Sequence, residues 1–175
     1  MLVWLAKAGM RMRSRHYLAR RLASTVLLGM GLSPLLLGET EDVVDLKIQR
    51  VLAERNRVVD AAVWAHLKGG FHVNSHTPNG PYLIPLRLTW DRGPLEVLEI
   101  VYPKPTLENY PFSKEPVSVF SGDFNILTRF RISPSAPFGP GILTGRLRYQ
   151  ACNAVMCLPP KTVPVTLSYS IKPAR

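Results

Sequence analysis

The chain has 175 residues, 46% of them hydrophobic, a formal charge of +10 and two cysteines. That length suits one domain with a real hydrophobic core and is too short for two. Six of the 22 basic residues, Lys7, Arg11, Arg13, Arg15, Arg20 and Arg21, precede an apolar run, leaving 16 basic against 12 acidic residues elsewhere. Past residue 40 the basic side chains are scattered, without a run of four and without the aromatic interleaving that stacks bases, so a solvated surface is expected rather than a nucleic-acid interface.

In chain order, residues 1–38 come first. A basic leader followed by the short apolar stretch LASTVLLGMGLSPLLLG, Leu22 to Gly38, has the layout of an export signal. Gly29, Gly31 and Pro34 interrupt it, and a membrane span needs about 20 apolar residues. Cleavage is the expected outcome, with an uncleaved signal anchor as the alternative, because no A-x-A-like site ends the run. Residues 39–175 are then the exported domain. Glu39, Glu41, Asp42 and Asp45 at its start fit a solvated terminus.

The segment from Val44 to Asn56 fits a helix or a strand about equally well. Beyond it, alternation with period two repeats in short bursts, the pattern of half-buried strands. In VVDAAVWAHL the residues Val59, Ala61, Val63, Ala65 and Leu67 share a face. IPLRLTW turns Ile84, Leu86, Leu88 and Trp90 inward, FNILTRFRI turns Phe124, Ile126, Phe130 and Ile132 inward, and TVPVTLSYSI does so with Val163, Val165, Leu167, Tyr169 and Ile171. Turn formers separate the bursts: Gly69-Gly70, Pro78 to Pro81, Asp91 to Pro94, Gly122-Asp123 and Pro134 to Gly141. Seven or eight strands at this spacing predict an all-β, antiparallel β-sandwich.

The cysteines sit in YQACNAVMCLPPKTVPV, residues 149–165. GILTGRLRYQAC alternates, so Cys152 ends a strand and points away from the row of Leu147 and Tyr149, while Cys157 lies across a short connection. A tight link between neighbouring strands can bring the two Cα atoms within the roughly 4.4–6.8 Å that a disulfide spans. Three uses fit the pair. As a structural staple, so short a loop is worth only about 2 kcal/mol. As a soft Cu(I) clip, the pair would recruit Met156 and His72 or His76, although the spacing is not that of a zinc site. As a redox centre, an exposed short-loop disulfide is of the labile, exchanging kind. The residue chemistry alone leaves all three open.

Taken together, Tyr149-Gln150-Ala151-Cys152, then Cys157, then Pro159-Pro160 and the strand TVPVTL resemble the N-terminal domain of the thiol:disulfide interchange protein DsbD. FHVNSHTPNGPYLIPLRL (71–88), VYPKP (101–105) and VFSGDFNI (119–126) resemble further segments of that family, so the likeness covers about 45–175. It implies an immunoglobulin-like sandwich and a periplasmic module that passes electrons through a disulfide/dithiol cycle. By the resemblance, Cys157 exchanges with partners and Cys152 is the resolving thiol. Thr106 to Pro116 is the loop that covers the site, with Tyr110 and Phe112 as its aromatics. Tyr149, Gln150 and Pro159, the neighbours of the cysteines in the motif, are expected at the partner surface. The resemblance implies no cofactor and no metal. Its partners would be thioredoxin-like periplasmic proteins, including the one serving cytochrome c maturation. A separate membrane protein would donate the electrons, since the sequence carries no electron-carrying domain of its own after the exported one. A monomer is expected, with membrane attachment only through an uncleaved leader. The loop between the cysteines is one residue shorter than in the best-known members.

Two other classes of function stand beside this one: a non-enzymatic exported adaptor with a structural disulfide, and a Cu(I)-handling module. His72, Asn74 and His76 alternate and are followed at once by turn residues, so solvent-exposed hydrogen bonders are expected there rather than a metal site. His66 is expected at a rim. No phosphate-binding glycine loop, G-x-S-x-G motif or paired carboxylates point to another chemistry.

Overall fold

A computed structural model describes residues 42–173. The leader, the 1–38 boundary, Glu39 and Glu41 lie outside the described residues. Within them, twelve strands run in the order β1 (Val44–Ile48), β2 (Val51–Glu54), β3 (Val58–Leu67), β4 (His72–Asn74), β5 (Arg87–Trp90), β6 (Leu95–Val101), β7 (Thr106–Glu108), β8 (Val117–Ser121), β9 (Asp123–Ile132), β10 (Gly139–Tyr149), β11 (Ala151–Cys152) and β12 (Lys161–Lys172). No helix among these residues is long and apolar enough to cross a membrane.

Two four-stranded sheets, β1-β3-β9-β6 and β2-β12-β10-β5, form an immunoglobulin-like sandwich. The period-two bursts explain it. In β3, β9, β10 and β12 one face is buried and the other is in water, so each strand writes alternation into the sequence. Val63, Ala65 and Ile126 of the first sheet meet Leu88, Leu147 and Val165 of the second. Farther along, Ala61, Phe130 and Ile132 meet Leu143, Leu167 and Ile171. The Trp90 and Phe130 rings cross edge to face with centroids 5.5 Å apart. Trp90 Nε1 donates to Thr128 Oγ1 at 3.0 Å, so the one hydroxyl in the inward row of β9 satisfies a half-buried indole.

The sandwich departs from the expected pattern in two places. Val44 to Asn56 forms two strands placed in different sheets, with β1 antiparallel to β3 and β2 parallel to β12. The strands number twelve rather than seven or eight, because a third sheet, β11-β4-β8-β7, is assembled from pieces only two to five residues long. Gly145 lets β5 lie close against β10: a Cβ there would come within 2.5 Å of the Thr89 carbonyl oxygen and 2.8 Å of the Trp90 ring.

The third sheet positions the cysteines. Val73, Phe120 and Ala151 turn toward the main core. By alternation, Cys152, His72, Asn74, Ser121, Val119, Val117, Thr106 and Glu108 share the opposite face.

Candidate functional site

β10 runs through a single break at Gln150 into β11, so the chain passes from the second sheet into the third just before Cys152. The chain then turns back sharply. Leu158 N donates to Ala151 O at 2.8 Å, and Asn153 N donates to Met156 O at 2.9 Å. These bonds flank Cys152 and Cys157, which therefore face each other as the non-hydrogen-bonded, narrower kind of antiparallel pair. The two form a disulfide, with Cα atoms 3.9 Å apart. That is closer than the range expected from the sequence, because the narrow pair and the tight turn act together. Asn153 builds the turn: its Oδ1 accepts from both Val155 N and Met156 N at 2.9 Å, the Asx geometry for which Asn is suited.

The two cysteines differ in exposure. Cys152 is fully buried, whereas Cys157 is partly exposed beside the solvated Val155 and Met156.

His72 is the residue directly opposite Cys152 on β4, and Ser121 is opposite His72 on β8. Contrary to the expectation of solvent-exposed hydrogen bonders, His72 and Asn74 are 3% and 1% exposed. The reason is a loop distant in sequence. Residues 109–116 fold over this face, and Tyr110 and Phe112 pack on Leu83, Val117 and Val119. The Tyr110 ring stacks on the His72 imidazole at 4.1 Å, and the Phe112 ring stacks on Tyr110 at 5.2 Å. The loop residues singled out from the sequence thus lie over the face that carries Cys152.

A carboxylate anchors the loop. Tyr110 donates its hydroxyl to Glu108 Oε2, and Glu108 Oε1 accepts from Thr106 Oγ1 at 3.1 Å and Ser121 Oγ at 3.2 Å. The bond from Tyr110 holds the Glu108 carboxyl below its usual pKa against the effect of desolvation. Burial, joined by the carboxylate, pushes the Tyr110 hydroxyl up. Burial also lowers the His72 pKa, with Glu108 pulling the other way. In the sequence His72 stood out only as a ligand for the Cu(I) alternative, and Glu108 did not stand out at all, although it lies within the stretch Thr106 to Pro116 that the resemblance marked as the covering loop.

Gln150 is a tie rather than an exposed surface residue. Its Oε1 accepts from Asn74 Nδ2 and Ile84 N, each at 3.2 Å, and its Nε2 donates to Leu158 O at 3.3 Å. One half-buried amide thus fixes β4, the approach to β5 and the residue that follows Cys157. Tyr149 is 1% exposed and belongs to the core. Together with Pro159, Phe71, Ala151 and Leu158, it lines an apolar cavity of about 350 Å³. Tyr149 and Ala151 turn toward the core, so this cavity is not on the face beneath Tyr110 and Phe112.

The soft-metal reading finds the two histidines on separate aromatic stacks. His72 packs on Tyr110, whereas His76 packs on Tyr102 at 4.4 Å. Among the described residues no three His, Cys, Asp or Glu side chains cluster to hold a metal ion. His66 sits exposed at a rim, paired with Asp123.

A disulfide between a buried Cys152 and a partly exposed Cys157 can be attacked by an outside thiolate, and the dithiol it yields can attack an outside disulfide. The chain is similar to the N-terminal periplasmic domain of ScsB from Proteus mirabilis, with 14% identity and a TM-score of 0.52, over 73% of this chain and 46% of that one. The likeness is one of fold, and this chain spans less than half of that protein's chain. The DsbD n-terminal domain of Neisseria meningitidis in its reduced form aligns with 14% identity and a TM-score of 0.48, over 73% of this chain and 86% of that one. No curated protein sequence matches the chain. The family described as thiol:disulfide interchange protein DsbD, N-terminal, matches residues 47–168, a stretch that runs from β1 into β12 and contains both cysteines, and the chain belongs to that family.

Proposed function

We propose that the protein is a periplasmic thiol-disulfide exchange module of the protein-disulfide reductase type, which carries an electron pair as the Cys152/Cys157 dithiol and delivers it to partner disulfides. Family membership supports the general chemistry. The observation that carries the finer reading is the unequal exposure of the two cysteines, with Cys152 buried on the face that the Tyr110 loop covers and Cys157 partly exposed.

In this reading the Cys157 thiolate attacks one sulfur of a partner disulfide. A Cys157–partner bond forms, and the partner's other sulfur leaves as a thiolate. Cys152, the only other thiol of the chain, then attacks Cys157. The Cys152–Cys157 bond forms, the second partner sulfur departs, and two electrons have moved to the partner. Val155 and Met156 at the hairpin tip supply an apolar docking edge beside the exchanging sulfur. Thioredoxin-like periplasmic proteins are the proposed acceptors, and a separate membrane protein is the proposed donor. The leader, cleaved or retained as an anchor, is proposed to deliver the domain to that compartment.

The test uses the two single serine variants. Cys157→Ser should abolish exchange with a thioredoxin-like partner, whereas Cys152→Ser should accumulate a mixed disulfide visible on a non-reducing gel. Wild-type exchange in both variants would overturn the assignment. A reduction potential below about −300 mV would instead mark the bond as structural and favour the adaptor.

A further inference from the structure

On the face that carries Cys152, two buried polar atoms lack a hydrogen-bond partner, His72 Nε2 and Asn74 Oδ1, and of the two only the imidazole can take up a proton near neutral pH. His72 is 3% exposed. A buried polar atom without a partner is unfavourable, and one that persists beside a redox pair points to a partner present in only one redox state.

Cys152 is that partner by position. It stands directly across from His72 in the β4–β11 pair, where the Cβ atoms of opposed residues are about 4.5–5.5 Å apart. In the disulfide, Cys152 carries no hydrogen. In the dithiol it carries one, on the same face of the sheet as the imidazole.

Building on the exchange reading, we infer that His72 accepts the Cys152 thiol proton through Nε2 as Cys152 attacks Cys157. The resolving sulfur needs such a group because it is fully buried and solvent base cannot reach it. The titratable groups facing His72 are Cys152 from β11, Glu108 from β7 and Tyr110 from the covering loop. Glu108 is occupied by three hydroxyl donors, and a carboxylate held below its usual pKa is a poor acceptor for a thiol proton. Arg146, on the Cys152 side of its strand, is engaged by Asp91 at 2.8 Å. Burial keeps the imidazole neutral, the form able to accept a proton.

The step balances. The proton passes from Cys152 Sγ to His72 Nε2, and the electron pair left on Cys152 forms the bond to Cys157. The Cys157–partner bond breaks, and the departing partner thiolate takes the proton from the imidazolium. His72 ends as it began.

The experiment mixes the reduced full chain with 5,5′-dithiobis(2-nitrobenzoate) in a stopped-flow instrument. Attack by Cys157 releases the first thionitrobenzoate, and resolution by Cys152 releases the second. His72→Phe keeps a ring for Tyr110 to stack on but removes the nitrogen. It should leave the first phase unchanged and slow the second by about 100-fold at pH 7, the lower end of the range for general-base assistance. Its second phase should climb with pH toward the ordinary thiol pKa of about 8.5, whereas the wild-type phase levels off earlier. An unaltered second phase in a variant with a normal first phase overturns the inference. The wild type supplies a check independent of folding: reduction should move the His72 Nε2 resonance in a histidine-optimised nitrogen correlation spectrum, and an identical resonance in both redox states also overturns it. Failure of the reduced wild type to release a second equivalent would instead overturn the exchange reading, and this inference with it.

Discussion

Gln150→Ala is the most informative single change outside the cysteines. The amide makes three hydrogen bonds, to Asn74 Nδ2, Ile84 N and Leu158 O, and is half-buried while doing so. At about 1 kcal/mol net for each bond, truncation should cost about 3 kcal/mol, with Ile84 N and Leu158 O left to find water. For a domain of this size that corresponds to a melting temperature lowered by about 10 °C. The assay is thermal unfolding of the oxidised protein followed by far-ultraviolet circular dichroism. Asn74→Ala provides the cycle: made in the Gln150→Ala background it should cost less than in the wild type, because their shared bond is already gone. A loss below about 1 kcal/mol, the worth of one average hydrogen bond, would refute the view of Gln150 as a three-way tie. Because Leu158 directly follows Cys157, the variant should also react faster with dithiothreitol.

Two further outcomes are expected. The loop over the site should loosen in acid. The His72 pKa is depressed in the closed state, so closure is at full strength above the ordinary value of 6.5 and weakens as pH falls through that value toward the lowered one. Glu108, also depressed, adds a second loss as pH drops below its ordinary 4.5. Ring-current shifts of Tyr110 and Phe112, followed by proton NMR, report this directly, and shifts that stay constant across the window would contradict it. Gly145→Ala places a Cβ 2.5 Å from the Thr89 carbonyl oxygen and should destabilise by about 1–3 kcal/mol through forced separation of β5 and β10. Chemical denaturation measures it, and a neutral result would mean that β5 can shift along β10 at no cost.

The strands that could be read from the sequence are those with one wet and one dry face. β3, β9, β10 and β12 alternate in burial as they alternate in residue type, and their inward rows were legible residue by residue. In β4 the alternation of His72 and Asn74 about Val73 was visible but misled about exposure, because all three residues are buried. β6 is an edge strand with a register shift between Val97 and Glu99 and is exposed along most of its length, so its pattern is broken twice over. The burial of His72 and Asn74 could not be inferred locally. Residues 109–116 cover them, more than thirty positions downstream, and only the family likeness pointed to that loop. The alternation of GILTGRLRYQAC did carry through the Gln150 break: Tyr149 and Ala151 belong to the core, and Cys152 occupies the opposite face.

The disulfide joins residues only five apart in sequence, whereas β10 and β12 hold each other through eleven paired positions. The core draws on strands of all three sheets, whereas the hairpin from Asn153 to Cys157 contributes no residue to it. Opening the bond therefore alters the surface exposed on unfolding very little, and the oxidised and reduced forms should share nearly the same denaturant m-value. A domain built this way can change redox state repeatedly without crossing a folding barrier.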